Sequence, residues 1–195
     1  RDVVHQLTLA STRDGDITAI KSEAWCAMGA YLELVTPGIP LLGAWIYSGP
    51  YEIPNYSVTF TGVFTNTTPT DAYRGAGRPE ATYVLERTMD ALASELGMDP
   101  VELRRKNFVK EFPHTMASGL TIDSGDYEAS LDKLLEHLEL DGIRAYREPL
   151  CAGARRHRDF HARVEREHAM LVGKQRIHVE LDDLRHVRDE LAHRH

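Results

Sequence analysis

Residues 67–80 form the stretch whose residue types and spacing could do chemistry. Within it, the run RGAGR at residues 74–78 combines two glycines, which let the backbone approach another group closely, with two positive charges. Pro79 then opens a periodic helical segment. Free N–H groups at a helix N-terminus and the helix dipole both favour an anion. The residues predicted to face an anion or a cofactor are Arg74, Gly75, Ala76 and Gly77.

Two regular elements must position this loop. Residues 57–65 alternate β-branched or aromatic residues with small or polar ones, which predicts a strand. Apolar residues between Pro79 and Leu96 recur at spacings of three and four, which predicts a helix, and Gly97 suits its C-terminal cap. The unit is therefore strand, glycine-containing loop and helix.

The preceding residues predict a β-hairpin. Residues 3–11 and 17–31 have extended patterns, separated by a turn at Asp14-Gly15. Within the second strand we interpret three large residues as core or interface packing rather than ligand contacts: Trp25, Met28 and Tyr31.

An irregular loop is predicted next, over residues 36–56, with a short apolar helix around residues 41–46. Tyr47, Tyr51 and Tyr56 could line a cleft there. Covering apolar surface is the favoured interpretation for them.

Helices dominate after the loop. Asp99 begins a capping box, which predicts a short helix to about residue 108 whose basic run at 104–106 forms a solvated face. A third helix is predicted from Asp126 to a point before Gly142. Strands first and helices afterwards indicate the α+β class.

Composition excludes several classes of protein. The net charge of −7 argues against general nucleic-acid binding. No run approaches the roughly 20 apolar residues that span a bilayer. Two cysteines, distant in sequence, indicate a reducing compartment without a disulfide framework, and we expect a cytoplasmic protein. The absence of Met at position 1 indicates a cut or processed end.

Charge changes near Gly142. Residues 1–142 hold 11 Lys and Arg against 21 Asp and Glu, whereas residues 143–195 hold 12 against 9 and seven of the ten histidines. We therefore predict a domain over 1–142 and a divergent, mostly helical Arg/His-rich tail over 143–195, frameshifted or fused.

The tail contains one possible metal stripe and one ambiguous pattern. On a helix, one face would carry His157, His161, Glu165 and His168. Such a stripe could bind Zn²⁺, but a solvated helix is the favoured interpretation. Residues 177–191 fit an amphipathic helix, although Ile177, Val179 and Leu181 alternate as in a strand.

Known catalytic motifs are absent. The G-x-G at Gly75 lacks the third glycine of a dinucleotide fingerprint, and there is no P-loop ending or serine-hydrolase elbow. The acids Asp71, Asp123 and Asp126 lie in loops without forming a recognisable acid–base couple. The sequence therefore assigns no catalytic residue and no metal ligand.

A series of segments, in order, carries a resemblance to a known family. They are DGDITAI at 14–20, GAY at 29–31, YEIPN at 51–55, AYRGAGRPEA at 72–81, LER at 85–87, DPVELRRKNF at 99–108 and DSGDY at 123–127. Residues 1–142 thereby resemble the molybdopterin-binding large subunit of the xanthine dehydrogenase, aldehyde oxidase and aerobic carbon monoxide dehydrogenase family.

The resemblance implies part of a molybdenum hydroxylase. It implies molybdopterin with Mo, as the cytosine dinucleotide in bacteria, and transfer of water-derived oxygen to carbon. Electrons would leave through iron–sulfur clusters and FAD on a small and a medium partner subunit, in a dimer of heterotrimers. The loop at Arg74, Gly75, Ala76 and Gly77 would face the molybdenum.

This sequence differs from the family pattern at positions that bear on the expected activity. Carbon monoxide dehydrogenases place a copper-binding cysteine at the position of Gly75, and purine and aldehyde oxidisers often place an aromatic residue at that of Ala76. The family's glycine-rich FGGK-type loop and catalytic glutamate are expected outside this chain, so we expect the fragment alone to be inactive. The alternative is a non-catalytic remnant or interaction module without bound cofactor.

Overall fold

A long β-hairpin begins the computed structural model, which describes residues 2–140, 142–145 and 176–181. Strand β1 spans Val3–Ser11 and pairs antiparallel with β2, Ile17–Gly29. The predicted turn is confirmed, because Gly15 has a φ of 88°, a conformation that favours glycine. Alternation along β1 places His5, Leu7 and Leu9 on the same, buried face.

Of the three large residues assigned to packing in β2 and beyond, only Met28 lies in the core. Side chains alternate along a strand, so Trp25 and Met28, three residues apart, face opposite sides of β2. Trp25 is 42% exposed and Tyr31 is 59% exposed, against 6% for Met28. Core packing is therefore wrong for Trp25 and Tyr31, and interface packing stays a prediction for them.

Four strands form the main sheet in the order β3-β2-β1-β6. Strand β3, Asn55–Phe64, is parallel to β2, and β6, Arg176–Leu181, is parallel to β1. The ambiguous pattern at 176–181 is thus a strand. The histidine stripe at 157–168 lies outside the described residues.

Helices follow the strands, as in the predicted α+β class. Helix α1 begins and ends earlier than predicted, and the other predicted helices are confirmed to within a few residues. They are α1 Gly38–Ala44, α2 Arg78–Leu96, α3 Pro100–Asn107 and α4 Tyr127–Leu138, with a small hairpin of β4 His114–Thr115 and β5 Thr121–Ile122 before α4.

Caps define the ends of these helices. Gly97 closes α2 in the left-handed conformation with a φ of 65°. The Asp99 carboxylate accepts from the N–H of Val101 at 2.7 Å at the start of α3, as its capping-box position predicts. The Asp126 carboxylate accepts from the N–H of Ala129 at 2.9 Å and starts α4.

The apolar stripe of α2 supplies the centre of the core. Val84, Leu85, Met89 and Leu92 are each at most 3% exposed. The helix contacts β1 and α3. Each fully buried side chain of this kind contributes about 1.5–3 kcal/mol of transfer free energy, so this stripe fixes where the N-terminus of α2 lies.

A group of polar residues joins α2 to α3 and to the loop before β3. Arg104 donates from Nε to Glu86 Oε2 at 2.8 Å and from Nη2 to Asp90 Oδ1 at 2.9 Å, and the Tyr51 hydroxyl donates to Glu86 Oε1 at 2.9 Å. We call Tyr51, Glu86, Asp90 and Arg104 the arginine clamp. The predicted solvated face is wrong for Arg104, whose side chain is 17% exposed, because two carboxylates on α2 hold it.

The described residues fall into two compact units, one containing β1 to β5 with α1 to α3 and β6, the other containing α4. The boundary near Gly142 stays a prediction. In the described ranges, every helix is either too short or too polar to cross a bilayer.

Candidate functional site

Two consecutive turns build the loop before α2. The N–H of Ala76 donates to the carbonyl of Tyr73 at 3.0 Å, and that of Arg78 donates to the carbonyl of Gly75 at 2.9 Å. Gly75 and Gly77 have φ values of 80° and 79°. Both positions are left-handed, so the two glycines are required by the backbone of the loop.

The surroundings of Gly75 and Gly77 differ. A Cβ added at Gly75 would meet no atom within 4 Å, so this position faces open space. A Cβ added at Gly77 would lie 2.4 Å from both the Gly43 nitrogen and the Ile39 oxygen of α1. Gly77 therefore lets the loop backbone pack directly on α1, whereas Gly75 leaves room for another group.

The four predicted site residues lie together but divide into two pairs. Arg74 and Gly75 are exposed, while Ala76 and Gly77 are buried. Among the described residues, the N–H groups of Arg74 and Gly75 have no acceptor and the Arg74 guanidinium has no ion pair. Arg78 instead donates from Nη1 to the Ala76 carbonyl at 3.0 Å, which braces the loop. The exposed pair therefore fits an anionic group, and the buried pair supports it.

A small pocket lies beside the buried pair, with a cavity volume of about 20 Å³. We call it the β1–α1 pocket. Its lining is mostly apolar, with a few polar side chains, and it includes Gly77 from the loop. The residues that line it are Val3, His5, Cys26, Ala27, Met28, Thr36, Ile39, Pro40, Gly43, Tyr47, Thr70, Gly77 and Glu80.

Burial sets the charge states in this pocket. The Tyr47 hydroxyl lies 3.5 Å from His5 Nδ1, and the two rings meet edge to face with centroids 5.8 Å apart. Burial lowers the pKa of His5, against the opposing effect of the Glu80 carboxylate. Burial, with a smaller contribution from the Glu80 carboxylate, raises the pKa of the Cys26 thiol to about 11. The Tyr47 pKa is raised for the same reason, so these three groups are neutral near pH 7.

Sequence reasoning missed this pocket. The alternation in β1 places His5 on the core face, but an isolated histidine gives no sign of its neighbours 42 residues later in the chain. Covering apolar surface is the favoured interpretation for Tyr47, and the structure buries this residue in the lining of the pocket, which agrees with the alternative that it lines a cleft. The sequence places Glu80 directly after Pro79, in the first turn of α2, but it does not indicate that this residue lines a pocket. Within the described residues, no group of three His, Cys, Asp or Glu side chains is placed to hold a metal ion.

A known protein family matches the part of the chain that contains this loop. The sequence profile described as the molybdopterin cofactor-binding domain matches residues 1–108, more than half of the chain. The chain belongs to this family. The match ends at the C-terminus of α3, so the cofactor-binding domain profile includes the loop, α2 and the arginine clamp.

Similar curated proteins are large subunits of multi-subunit enzymes. The gamma subunit of the 6-hydroxypseudooxynicotine dehydrogenase complex of Paenarthrobacter nicotinovorans is 37% identical, over 70% of this chain and 18% of that protein. The carbon monoxide dehydrogenase large chain of Hydrogenophaga pseudoflava is 39% identical, over 70% of this chain and 18% of that protein. The molybdopterin-binding chain therefore spans less than a fifth of these relatives.

Solved structures confirm the fold of this cofactor-binding domain. The reconstituted carbon monoxide dehydrogenase from Oligotropha carboxidovorans superposes with a TM-score of 0.67 at 30% identity, over 76% of this chain and 19% of that one. The aldehyde oxidoreductase from Desulfovibrio gigas gives a TM-score of 0.63 at 31% identity, over 72% of this chain and 15% of that one. The predicted resemblance to molybdenum hydroxylase large subunits is confirmed.

Proposed function

We propose that this chain forms one wall of the molybdopterin site in a molybdenum hydroxylase large subunit. The observation that carries the proposal is the exposed corner at Arg74 and Gly75. There, two adjacent N–H groups have no acceptor in the described chain, the Arg74 side chain is exposed, and a Cβ added at Gly75 would meet no atom within 4 Å. The family match over residues 1–108 supports an anionic molybdenum cofactor as the group that this corner meets.

The loop residues have different parts in this function. Arg74 and Gly75 donate hydrogen bonds to the cofactor, and the guanidinium offsets its negative charge. Ala76 and Gly77 hold the loop against α1, and Arg78 fixes its backbone through the Ala76 carbonyl. When bound, the molybdenum cofactor supplies the transfer of water-derived oxygen to a carbon centre and takes up the electron pair.

The proposal also includes the form of the cofactor, the electron acceptors and the location of the general base. The cofactor is the cytosine dinucleotide form, and the electrons pass to an iron–sulfur small subunit and a FAD-containing medium subunit in the cytoplasm. Gly75 provides no thiolate, so copper-dependent carbon monoxide oxidation is not part of the proposal. The general base lies outside this chain, so catalysis requires the rest of the subunit.

Cofactor content tests the proposal directly. The chain is expressed in a host that makes the cytosine dinucleotide cofactor, and Mo, fluorescent oxidised pterin and released cytidine monophosphate are measured on the purified protein. We expect all three in comparable amounts in the unaltered chain. Arg74→Ala should lose most of each, because the loop loses its charge and a donor.

Arg87→Ala is the matched control, since Arg87 is an exposed arginine in the middle of α2. It should retain the cofactor. Folded chain without Mo or pterin would contradict the proposal and favour the interaction module. Equal loss in both arginine variants would remove the special role of Arg74. Retention of all three components in Arg74→Ala would also contradict that role.

A further inference from the structure

The two edges of the main sheet are protected to different degrees. An edge strand presents unpaired backbone N–H and C=O groups, and proteins shield such edges with short strands, charged residues, proline or bulges. Strand β6 forms one edge with six residues, of which Arg176 and Glu180 are charged. Strand β3 forms the other edge with ten residues, and its sequence NYSVTFTGVF contains no charged residue and no proline.

The outer side of β3 is open along most of its length. Its ladder with β2 is regular from Asn55 to Val63, and among the described residues β3 pairs with no other strand. Apolar side chains are exposed at its C-terminal end, where Phe64 is 64% exposed and Val63 is 43% exposed. A strand that paired with β3 would therefore satisfy backbone groups and cover apolar surface at the same time.

The sequence of β3 is complementary to itself. Residues directly opposite in an antiparallel pair lie on the same face of the sheet. In the register that places Phe60 opposite Phe60 of a second copy, Thr59 lies opposite Thr61. The exposed Phe64 then lies opposite Tyr56, which, like Phe60, packs toward the core on the helix side of the sheet. This register brings aromatic residues together on one face and threonines on the other, and it places no two like charges opposite each other.

We propose that two copies of this chain associate by antiparallel pairing of β3 with β3, in the register centred on Phe60. A second copy fits this edge because the strand matches its own sequence, and because the charges of a chain with a net charge of −7 lie outside the strand. The pairing is two-fold and closed, since it joins two four-stranded sheets and leaves only the short β6 at each end. The association does not depend on the proposed cofactor site and goes beyond it.

Sedimentation equilibrium of the full chain at several concentrations tests this association. We expect the unaltered chain to approach twice its mass of 22.0 kDa as the concentration rises. Thr59→Lys combined with Thr61→Lys places like charges directly opposite each other at two points, so the dissociation constant should rise about tenfold or more. Thr82→Lys combined with Ser94→Lys is the matched control, because it adds the same charge at exposed positions of α2. It should leave the dissociation constant unchanged.

A charge exchange tests the register. Thr59→Glu combined with Thr61→Glu should weaken self-association as the lysine pair does. An equimolar mixture of the two double variants should form the dimer again, because each lysine then lies opposite a glutamate. Circular dichroism of each variant checks that its fold is retained.

Hydrogen exchange of the unaltered chain locates the interface even where the double variants fail to fold. Amides of β3 should become more protected as the concentration rises through the transition, while those of α2 should not change. Unchanged protection of β3 would place the interface elsewhere and overturn the proposal.

Three further results would overturn the proposal: an unaltered chain that stays at 22.0 kDa at every concentration, a lysine pair on β3 that weakens association no more than the control pair, or no dimer in the charge-exchanged mixture. The first result would leave this edge to a strand of another polypeptide, such as the rest of a large subunit.

Discussion

Two glutamates on α2, six residues apart, are used in opposite ways. Glu86 accepts from Arg104 and Tyr51 in the arginine clamp, which joins three parts of the fold. Glu80 lines a pocket whose other titratable groups are neutral. One helix thus carries a carboxylate that joins parts of the fold at its middle and another that lines a small pocket near its N-terminus.

The difference extends to the backbone around each glutamate. Near Glu86, Tyr51 stacks on Phe108 with ring centroids 5.6 Å apart, and the side chains fill the space. Near Glu80, glycine backbones meet directly, and the adjoining volume is a pocket. The clamp region therefore tolerates little loss of side chain, whereas the loop region tolerates little gain, and each prediction below tests one side of this contrast.

The largest effect should follow from added volume at the loop. Gly77→Ala places a Cβ 2.4 Å from two backbone atoms of α1 at a left-handed φ, so we expect the free energy of unfolding to fall by about 3 kcal/mol or more. Gly75→Ala has the same φ but open space, so about 1 kcal/mol should be lost. Urea unfolding measures both. Similar losses in the two variants would show that α1 moves aside, and that the contact is not tight.

A smaller loss is expected from removing charge at the clamp. Arg104→Met removes the cation that pairs with Glu86 and Asp90 and leaves the Tyr51 hydroxyl on Glu86, so about 2 kcal/mol should be lost in urea unfolding. The figure lies below that for a fully buried pair because Glu86 is 35% exposed. Arg87→Met removes one exposed pair, 3.8 Å from Asp90, and should change stability by less than about 0.5 kcal/mol. Equal effects would make the clamp a surface feature.

The sequence predicted the loop better than it predicted the arginine clamp or the pocket. Gly75, Gly77 and Pro79 identify the loop because their conformational properties are local, and the cap at Asp99 is predicted for the same reason. The role of Arg104 was missed because its partner carboxylates lie on another helix, 14 and 18 residues away. The pocket was missed for a related reason, since His5, Tyr47 and Glu80 meet only through the packing of α1 and α2 on the sheet.

Strand assignment shows the same limit. Alternation predicts that a segment is extended, as it does for β3, but it cannot say which strand lies beside it. The pairing of β6 with β1 and the position of β3 beside β2 depend on contacts between distant segments. The division of the site loop into an exposed and a buried pair depends on α1, because Gly77 is buried against Gly43 and Gly75 is not.

The smallest effect concerns the pH dependence of stability on the pocket side. Burial lowers the pKa of His5 in the folded chain, so the unfolded chain binds this proton more readily. The contribution of neutral His5 is therefore fully present above the ordinary pKa of about 6.5 and is lost as the pH falls through lower values. Urea unfolding between about pH 7 and about pH 5 should show a smaller loss of stability in His5→Gln than in the unaltered chain.

Tyr47→Phe is the control, because it keeps the buried imidazole and removes only the weakly bonded hydroxyl, so it should retain the pH slope. Equal slopes in the unaltered chain and in His5→Gln would mean that water reaches the imidazole and that the pocket is wetter than its apolar lining indicates.

The clamp offers the complementary measurement. Tyr51→Phe removes a hydroxyl that donates to Glu86 at 2.9 Å and should cost about 1 kcal/mol without changing the dependence on His5.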